Sequence, residues 1–300
     1  MPKAEGGTAQ PRLAMHPLAI GYQTLGRAAR ILPRPIAYAA ARRLMDAVYL
    51  AWPRGRNAAR RNAEFLLPHV NWNGSAPSLA RAQFQRYGEY LVDAVRLDEL
   101  TPAQCFEAVG GHDPAWSEHW TRLEQWYQRR PVLFAAIHFG NWDILGGAYT
   151  HRIGPSMVLV DDLGHPALNR AIQDQRARLG MTPAAGRPGL RQLVDHLNHN
   201  ETAAILFDRP PRPNEQTTTD TLFGREVTIP NEIHRIAHAT NAKLIPLAAT
   251  RQDHDLRFTP HLDLDHDPDS SLLPAFEPPL TAAPDQWYQF RDLIPAETAD

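Results

Sequence analysis

Residues 132–145 read VLFAAIHFGNWDIL. The run Val132 to Ile137 follows Pro131 and stops at a polar, glycine-containing turn, so it reads as a short buried strand. His138 stands at the carboxyl end of that strand. Gly140 permits a tight or left-handed backbone in the turn. Asn141 is suited to cap a helix that begins at Trp142. Asp143 then falls in the first helical turn, where the helix dipole favours a carboxylate. A strand, a turn and a helix in this order form the opening half of a βαβ unit.

The same rhythm runs outward through the second part of the chain. PSMVLVDD (155–162), TAAILFD (202–208) and AKLIPLAATR (242–251) are further short apolar runs. WDILGGAYTHRI, HPALNRAIQDQRARLG, GLRQLVDHLNHN and NEIHRIAHAT are helical stretches between them. LRFTPHLDL (256–264) fits an edge strand. Alternating strand and helix predicts an α/β fold with a mostly parallel central sheet flanked by helices. Before it, LAIGYQTLGRAARIL, RPIAYAAARRLMDAVYLAW and SLARAQFQRYGEYLVDAVRL carry apolar residues at helical spacing, with Ser78 a candidate cap for the third. The expected organisation is a disordered tail over 1–12, an N-terminal amphipathic helical region over 13–102 and an α/β core over 103–300.

The formal net charge is only -2, but its distribution is uneven. Before residue 63 the acids are Glu5 and Asp46 alone, against Lys3 and a series of arginines. A basic end suits an anionic surface. No aromatic platforms accompany it in a recognisable pattern, so a membrane surface is expected and a nucleic-acid partner is not. Cys105 is the single cysteine, which excludes an internal disulfide and a cysteine metal cage. The N-terminus lacks a secretory-signal pattern. No apolar run reaches the roughly 18 residues of a membrane span.

His138 and Asp143 are five apart, about 140° around a continuous helix, but a strand-turn-helix corner brings such residues together. In such a pair, a neutral imidazole removes a proton from an attacking hydroxyl, and a carboxylate on the other ring nitrogen fixes the tautomer. No serine or cysteine lies in the turn, so the nucleophile expected is a hydroxyl of the substrate. The pattern fits equally a histidine that only terminates the strand beside an aspartate.

The box AIHFGNWDI, with His138 and Asp143 in H-x4-D spacing, resembles that of the glycerolipid-type acyltransferases. Its flanks resemble one branch, the bacterial lipid A late acyltransferases (lauroyl/myristoyl type) and their mycobacterial phosphatidylinositol-mannoside relatives. RRNAEFLLP (60–68), RYGEYLVDAVRL, DQRARLGM, ILFDRP, TLFGREVTIP, IAHATNAKLIPLAATR and PDQWYQFRD (284–292) follow that branch in order over nearly the whole chain. Departures are Asn231 and Asn241, where relatives often have glycine, a terminal segment without its second tryptophan, and an arginine-rich front in place of a longer apolar anchor.

The resemblance implies transfer of a fatty acyl group from acyl-CoA or acyl carrier protein, with no cofactor, to a membrane glycolipid or phospholipid. It places the protein on the cytoplasmic face of the inner membrane, peripheral or monotopic. His138 would be the base and Asp143 its partner. Arg176 would bind an anionic group or the developing oxyanion, since a guanidinium offers a planar fork of donors; on the residues alone it fits a surface arginine paired with Asp174 or Asp161. Asp208 and Arg209 follow a strand end on the active side, Asp208 orienting Arg176 or the acceptor or else capping a turn. Gly224 and Arg225 form an FGR turn suited to an acceptor contact, with Asp220 a weaker candidate beside it.

Other features carry less. The His/Asp-rich HDLRFTPHLDLDHDPD (254–269) alternates like the solvent face of an edge strand and has no metal-ligand spacing. His234 and His238 share a helical face but lack the glutamate of a zinc hydrolase. No metal is expected. RPGLRQL is a weak phosphate candidate with one glycine. Two other functions fit the same residues: a thioesterase or lipid hydrolase using the same pair, and a non-catalytic membrane lipid-binding protein.

Overall fold

The computed structural model describes residues 26–160, 166–252 and 255–294. The proposed tail over 1–12, and Leu13, Leu18, Ile20 and Leu25 of the aliphatic face expected to meet the membrane in the basic front, lie outside the described residues.

Eight strands are described: β1 (Val132–Ala136), β2 (Ser156–Val160), β3 (Met181–Ala185), β4 (Thr202–Leu206), β5 (Thr217–Leu222), β6 (Arg225–Pro230), β7 (Lys243–Arg251) and β8 (Phe258–Leu262). Six of them form one sheet in the order β3-β2-β4-β1-β7-β8. All neighbours in it are parallel except β7 and β8, which confirms both the α/β reading and the edge strand. β1 lies between β4 and β7, and all its residues are buried, as a central parallel strand requires. Among the strands, β3, β5 and β6 escaped the sequence reading. β3, MTPAA, contains Pro183 and alternates little, and it survives because it is an edge strand, where a missing N–H costs no ladder bond. β5 and β6 form a separate antiparallel hairpin around the FGR turn.

The longer helices are α1 (Arg34–Ala51), α2 (Pro53–Leu66), α3 (Ala76–Val95), α4 (Pro102–Ala108), α5 (Pro114–Arg129), α6 (Trp142–Ile153), α7 (Pro166–Arg178), α8 (Gly186–Asn198), α9 (Glu232–Thr240) and α10 (Glu277–Ala282). Alternation along β1 sends its side chains to both faces. Leu133, Ala135 and Ile137 share a core with Met45, Leu66 and Phe84 of α1, α2 and α3. Val132, Phe134 and Ala136 pack with Phe106, Trp120, Leu123 and Tyr149 of α4, α5 and α6. α3 starts one turn earlier than expected: Ser75 occupies the cap position, and the Ser78 hydroxyl donates to the Ser75 carbonyl at 2.7 Å. Asn241, where the related branch often has glycine, ends α9 in the left-handed region at φ 52°, which asparagine tolerates better than most residues.

α1 is apolar on two sides. Ala37, Tyr38, Met45 and Tyr49 are buried. Ile36, Leu44 and Leu50 are 54%, 50% and 69% exposed. Among the described residues no helix is long and apolar enough to cross a membrane.

Candidate active site

The site is built where the carboxyl ends of β1, β4 and β7 meet, the position at which open parallel sheets bind ligands. Register decides its centre. Ala136 is paired with Leu206, so the residues two beyond each strand end, His138 and Asp208, arrive side by side. The Asp208 Oδ1 accepts from the His138 backbone N–H at 3.0 Å and lies 2.7 Å from its Nδ1. Asp208 is fully buried, whereas the His138 side chain is 38% exposed. Trp287 donates its indole N–H to Asp208 Oδ2 at 2.9 Å, and the Gln289 amide donates to the Asp208 carbonyl. Among the described residues Nε2 of His138 has no hydrogen-bond partner.

Asp143 was expected against the imidazole and is instead engaged elsewhere. Its Oδ1 accepts from Arg176 Nε at 2.7 Å, and its Oδ2 from Arg176 Nη2 at 3.4 Å and from the Tyr90 hydroxyl at 2.8 Å. The physical reason is the helix. Asn141 accepts from the Ile144 N–H at 3.1 Å and starts α6, which turns Asp143 towards α3 and α7. Among the described residues Arg176 has no ion pair with Asp174, and its side chain is only 13% exposed; Asp161 lies outside the described residues. Burial disfavours its charge, but Asp143 and then Tyr90 outweigh that and hold it firmly protonated. Burial, and next the charge of Asp143, push the Tyr90 phenol well above its ordinary range, so it stays a donor. Cys105 is buried and its thiol is pushed up to about 12, chiefly by burial, which removes it as a nucleophile.

An aromatic cluster adjoins the imidazole through Trp142. Trp142 stands edge-on to His138 at 5.4 Å between centroids and packs on Tyr90 at 4.2 Å. Tyr87 and Tyr288 continue the group.

A second buried cluster lies behind the turn. Asp93 of α3 accepts from the Tyr38 hydroxyl at 2.6 Å and the Asn141 amide at 3.1 Å, and it pairs with Arg251. The side chains of Arg251 and Asp93 are 1% and 0% exposed. Sequence reading missed this cluster and the roles of Trp287 and Gln289. The available signal was a charged residue at an apolar position: Asp93 within YLVDAV and Arg251 ending a strand.

Gly140 is left-handed at φ 59°, and a Cβ there would fall 1.7 Å from the Ala249 carbonyl oxygen. Gly140→Ala is therefore expected to destabilise the fold by at least about 2 kcal/mol. Urea denaturation followed by circular dichroism measures it.

The remaining candidates are engaged by other partners. Arg209 pairs with Glu215 and, at 3.5 Å, with Glu232, tying the segment after β4 to α9. Gly224 closes the β5–β6 turn at φ 77°. Arg225 lies over the Phe65 ring at 5.6 Å. Asp220 is buried and accepts from the backbone N–H groups of Leu272 and Leu273 at 2.9 and 3.3 Å, a turn-organising role.

Residues 12–293 match the family described as bacterial lipid A biosynthesis acyltransferase. A curated phosphatidylinositol mannoside acyltransferase from Mycolicibacterium smegmatis (strain ATCC 700084 / mc(2)155) is 27% identical over 175 residues, 56% of this chain and 55% of that protein. The match thus spans about half the length of that relative. With most of its length matched, the chain belongs to the bacterial lipid A biosynthesis acyltransferase family.

Proposed function

We propose that the protein transfers a fatty acyl group from a thioester, acyl-CoA or acyl carrier protein, to a hydroxyl of a membrane glycolipid or phospholipid. The observation that carries this reading is an accessible imidazole, His138, whose Nδ1 is held by the fully buried carboxylate of Asp208. The family match and the glycolipid named for the mycobacterial relative support the substrate class.

The chemistry needs no protein nucleophile. Asp208 favours the tautomer with hydrogen on Nδ1, which leaves the Nε2 lone pair free. Nε2 takes the proton from the acceptor hydroxyl as its oxygen attacks the thioester carbonyl carbon. The new C–O bond forms and the carbonyl π pair moves to oxygen. When that pair returns, the C–S bond breaks, and Nε2 returns its proton to the departing sulfur. Asp208 stabilises the imidazolium between these steps. Asp143 and Arg176, neutralised against each other, hold α6 to α7 behind the box.

Purified protein in detergent, given acyl thioester and extracted membrane lipid, should yield a newly acylated lipid by mass spectrometry. Thioester loss that is indifferent to added lipid would identify a hydrolase instead. No acylated lipid with either carrier would overturn the reading.

The same proposal seats the protein peripherally on the inner face of the cell membrane, where acyl thioesters are kept. Ile36, Leu44 and Leu50 form the outward stripe of α1, and Ile31 and Trp52 extend it, exposed by 83% and 44%. Arg27, Arg43 and Arg54 are exposed beside them. Each basic residue near an anionic surface contributes about 1 kcal/mol, and apolar insertion adds to it. Flotation should show binding to anionic vesicles that salt weakens without abolishing, and Leu44→Glu/Leu50→Glu should reduce it. Equal binding to neutral and anionic vesicles, or none to either, would contradict the seat.

A further inference from the structure

We propose that the segment 284–291 is a clamp that aims the base, with Trp287 and Gln289 as positioning residues for Asp208. This rests on the reading of His138 as the base. Asp208 follows β4 in sequence, yet half of its hydrogen bonding comes from the far end of the chain. Its Oδ1 is taken by His138, and its Oδ2 receives the Trp287 indole N–H at 2.9 Å. Donors on both oxygens fix the plane of a carboxylate, and that plane sets the direction of the acceptor lone pair that Nδ1–H meets. Gln289 fixes the main chain of the same residue through its carbonyl.

The segment also grips the main chain that carries the imidazole. Phe139 and Trp287 form an antiparallel bridge. The Tyr288 N–H donates to the His138 carbonyl at 2.7 Å, and the Gly140 N–H to the Gln286 carbonyl at 3.0 Å. One strand of chain therefore holds both members of the pair. It is itself anchored: the buried Asn62 amide of α2 donates to the carbonyls of Gln289 and Arg291 at 3.0 and 2.8 Å. Arg86 of α3 holds Asp285 at 2.8 Å. Trp287 is 1% exposed, so its N–H faces no water, and Asp208 Oδ2 has no other donor shown among the described residues.

Trp287→Phe keeps an aromatic ring in the slot and deletes the donor. A hydrogen bond to a charged group is worth enough that kcat for acyl transfer should fall about 10- to 100-fold. KM for the thioester should change less than about twofold, because Trp287 is buried and presents almost no surface to a substrate. Ring nitrogen shifts of His138, read by NMR on protein labelled with 15N-histidine and assigned with His138→Gln, should show a smaller share of the Nδ1–H tautomer. Replacement of Trp287 by its benzothienyl analogue, which has the same shape and no N–H, settles the case if phenylalanine loosens the fold: it should show the same loss. Unchanged kcat and tautomer in the benzothienyl protein would overturn the clamp. His138→Ala and Asp208→Asn run beside it. Full activity in His138→Ala would sink the base assignment and the clamp together, whereas loss there with wild-type behaviour of the Trp287 variants would sink the clamp alone.

Discussion

His138→Ala is expected to lower kcat for acyl transfer by about two to four orders of magnitude, the range over which a positioned general base contributes. The protein should stay folded. The ring is partly exposed, and its loss leaves Asp208 with the backbone N–H of residue 138 and the Trp287 indole as donors. No buried charge is stranded. Steady-state transfer with the lipid acceptor, beside a melting curve, separates the two quantities. Turnover near the wild-type rate would show that the proton leaves the acceptor by another route.

Arg251→Leu is expected to have the opposite character, a large loss of stability of about 3–5 kcal/mol, because it leaves Asp93 buried without its counter-charge. Tyr38 and Asn141 still donate to Asp93, but neither carries charge. The guanidinium also packs over the rings of Tyr38 and Phe258 at 5.3 and 4.8 Å, contacts that leucine replaces only in part. The double variant Asp93→Leu/Arg251→Leu should cost less than Arg251→Leu alone, since no unpaired charge remains. Urea unfolding of the two variants tests this, and equal or additive losses would contradict it. Because Asn141 caps α6 and is held by Asp93, the single variant should also loosen the turn that carries His138.

Much of this arrangement was legible in the residues. Apolar runs bounded by Gly, Pro and Asn located β1, β2, β4 and β7, and the turn residues of the box adopt the conformations their chemistry favours. What sequence spacing did not reveal was which carboxylate meets the imidazole. Proximity in the chain favoured Asp143, but a cap at Asn141 commits Asp143 to a helix, whereas Asp208 is delivered by sheet register. The clue was present in parallel form: AAIH and ILFD are two apolar strands that each end in a polar residue. Pairing them requires knowing that β4, not β2, neighbours β1. The partners of Arg176 and Arg209 stayed hidden for a related reason. Their partners, Asp143 and Glu215 with Glu232, become visible only once the segments after β1 and β4 are placed. The Asp93–Arg251 pair joins residues 158 positions apart, beyond any local pattern.

The most direct test of the central claim compares Asp208→Asn with Asp143→Asn in single-turnover acyl transfer from saturating thioester to lipid. If Asp208 orients and stabilises the imidazole, Asp208→Asn should reduce the transfer rate by about three to four orders of magnitude, as loss of the orienting carboxylate does in comparable triads. Asp143→Asn should lower the melting temperature, because it leaves Arg176 buried without its partner, while keeping a measurable transfer rate in the folded fraction. A transfer rate that survives in Asp208→Asn and vanishes in folded Asp143→Asn would contradict the account.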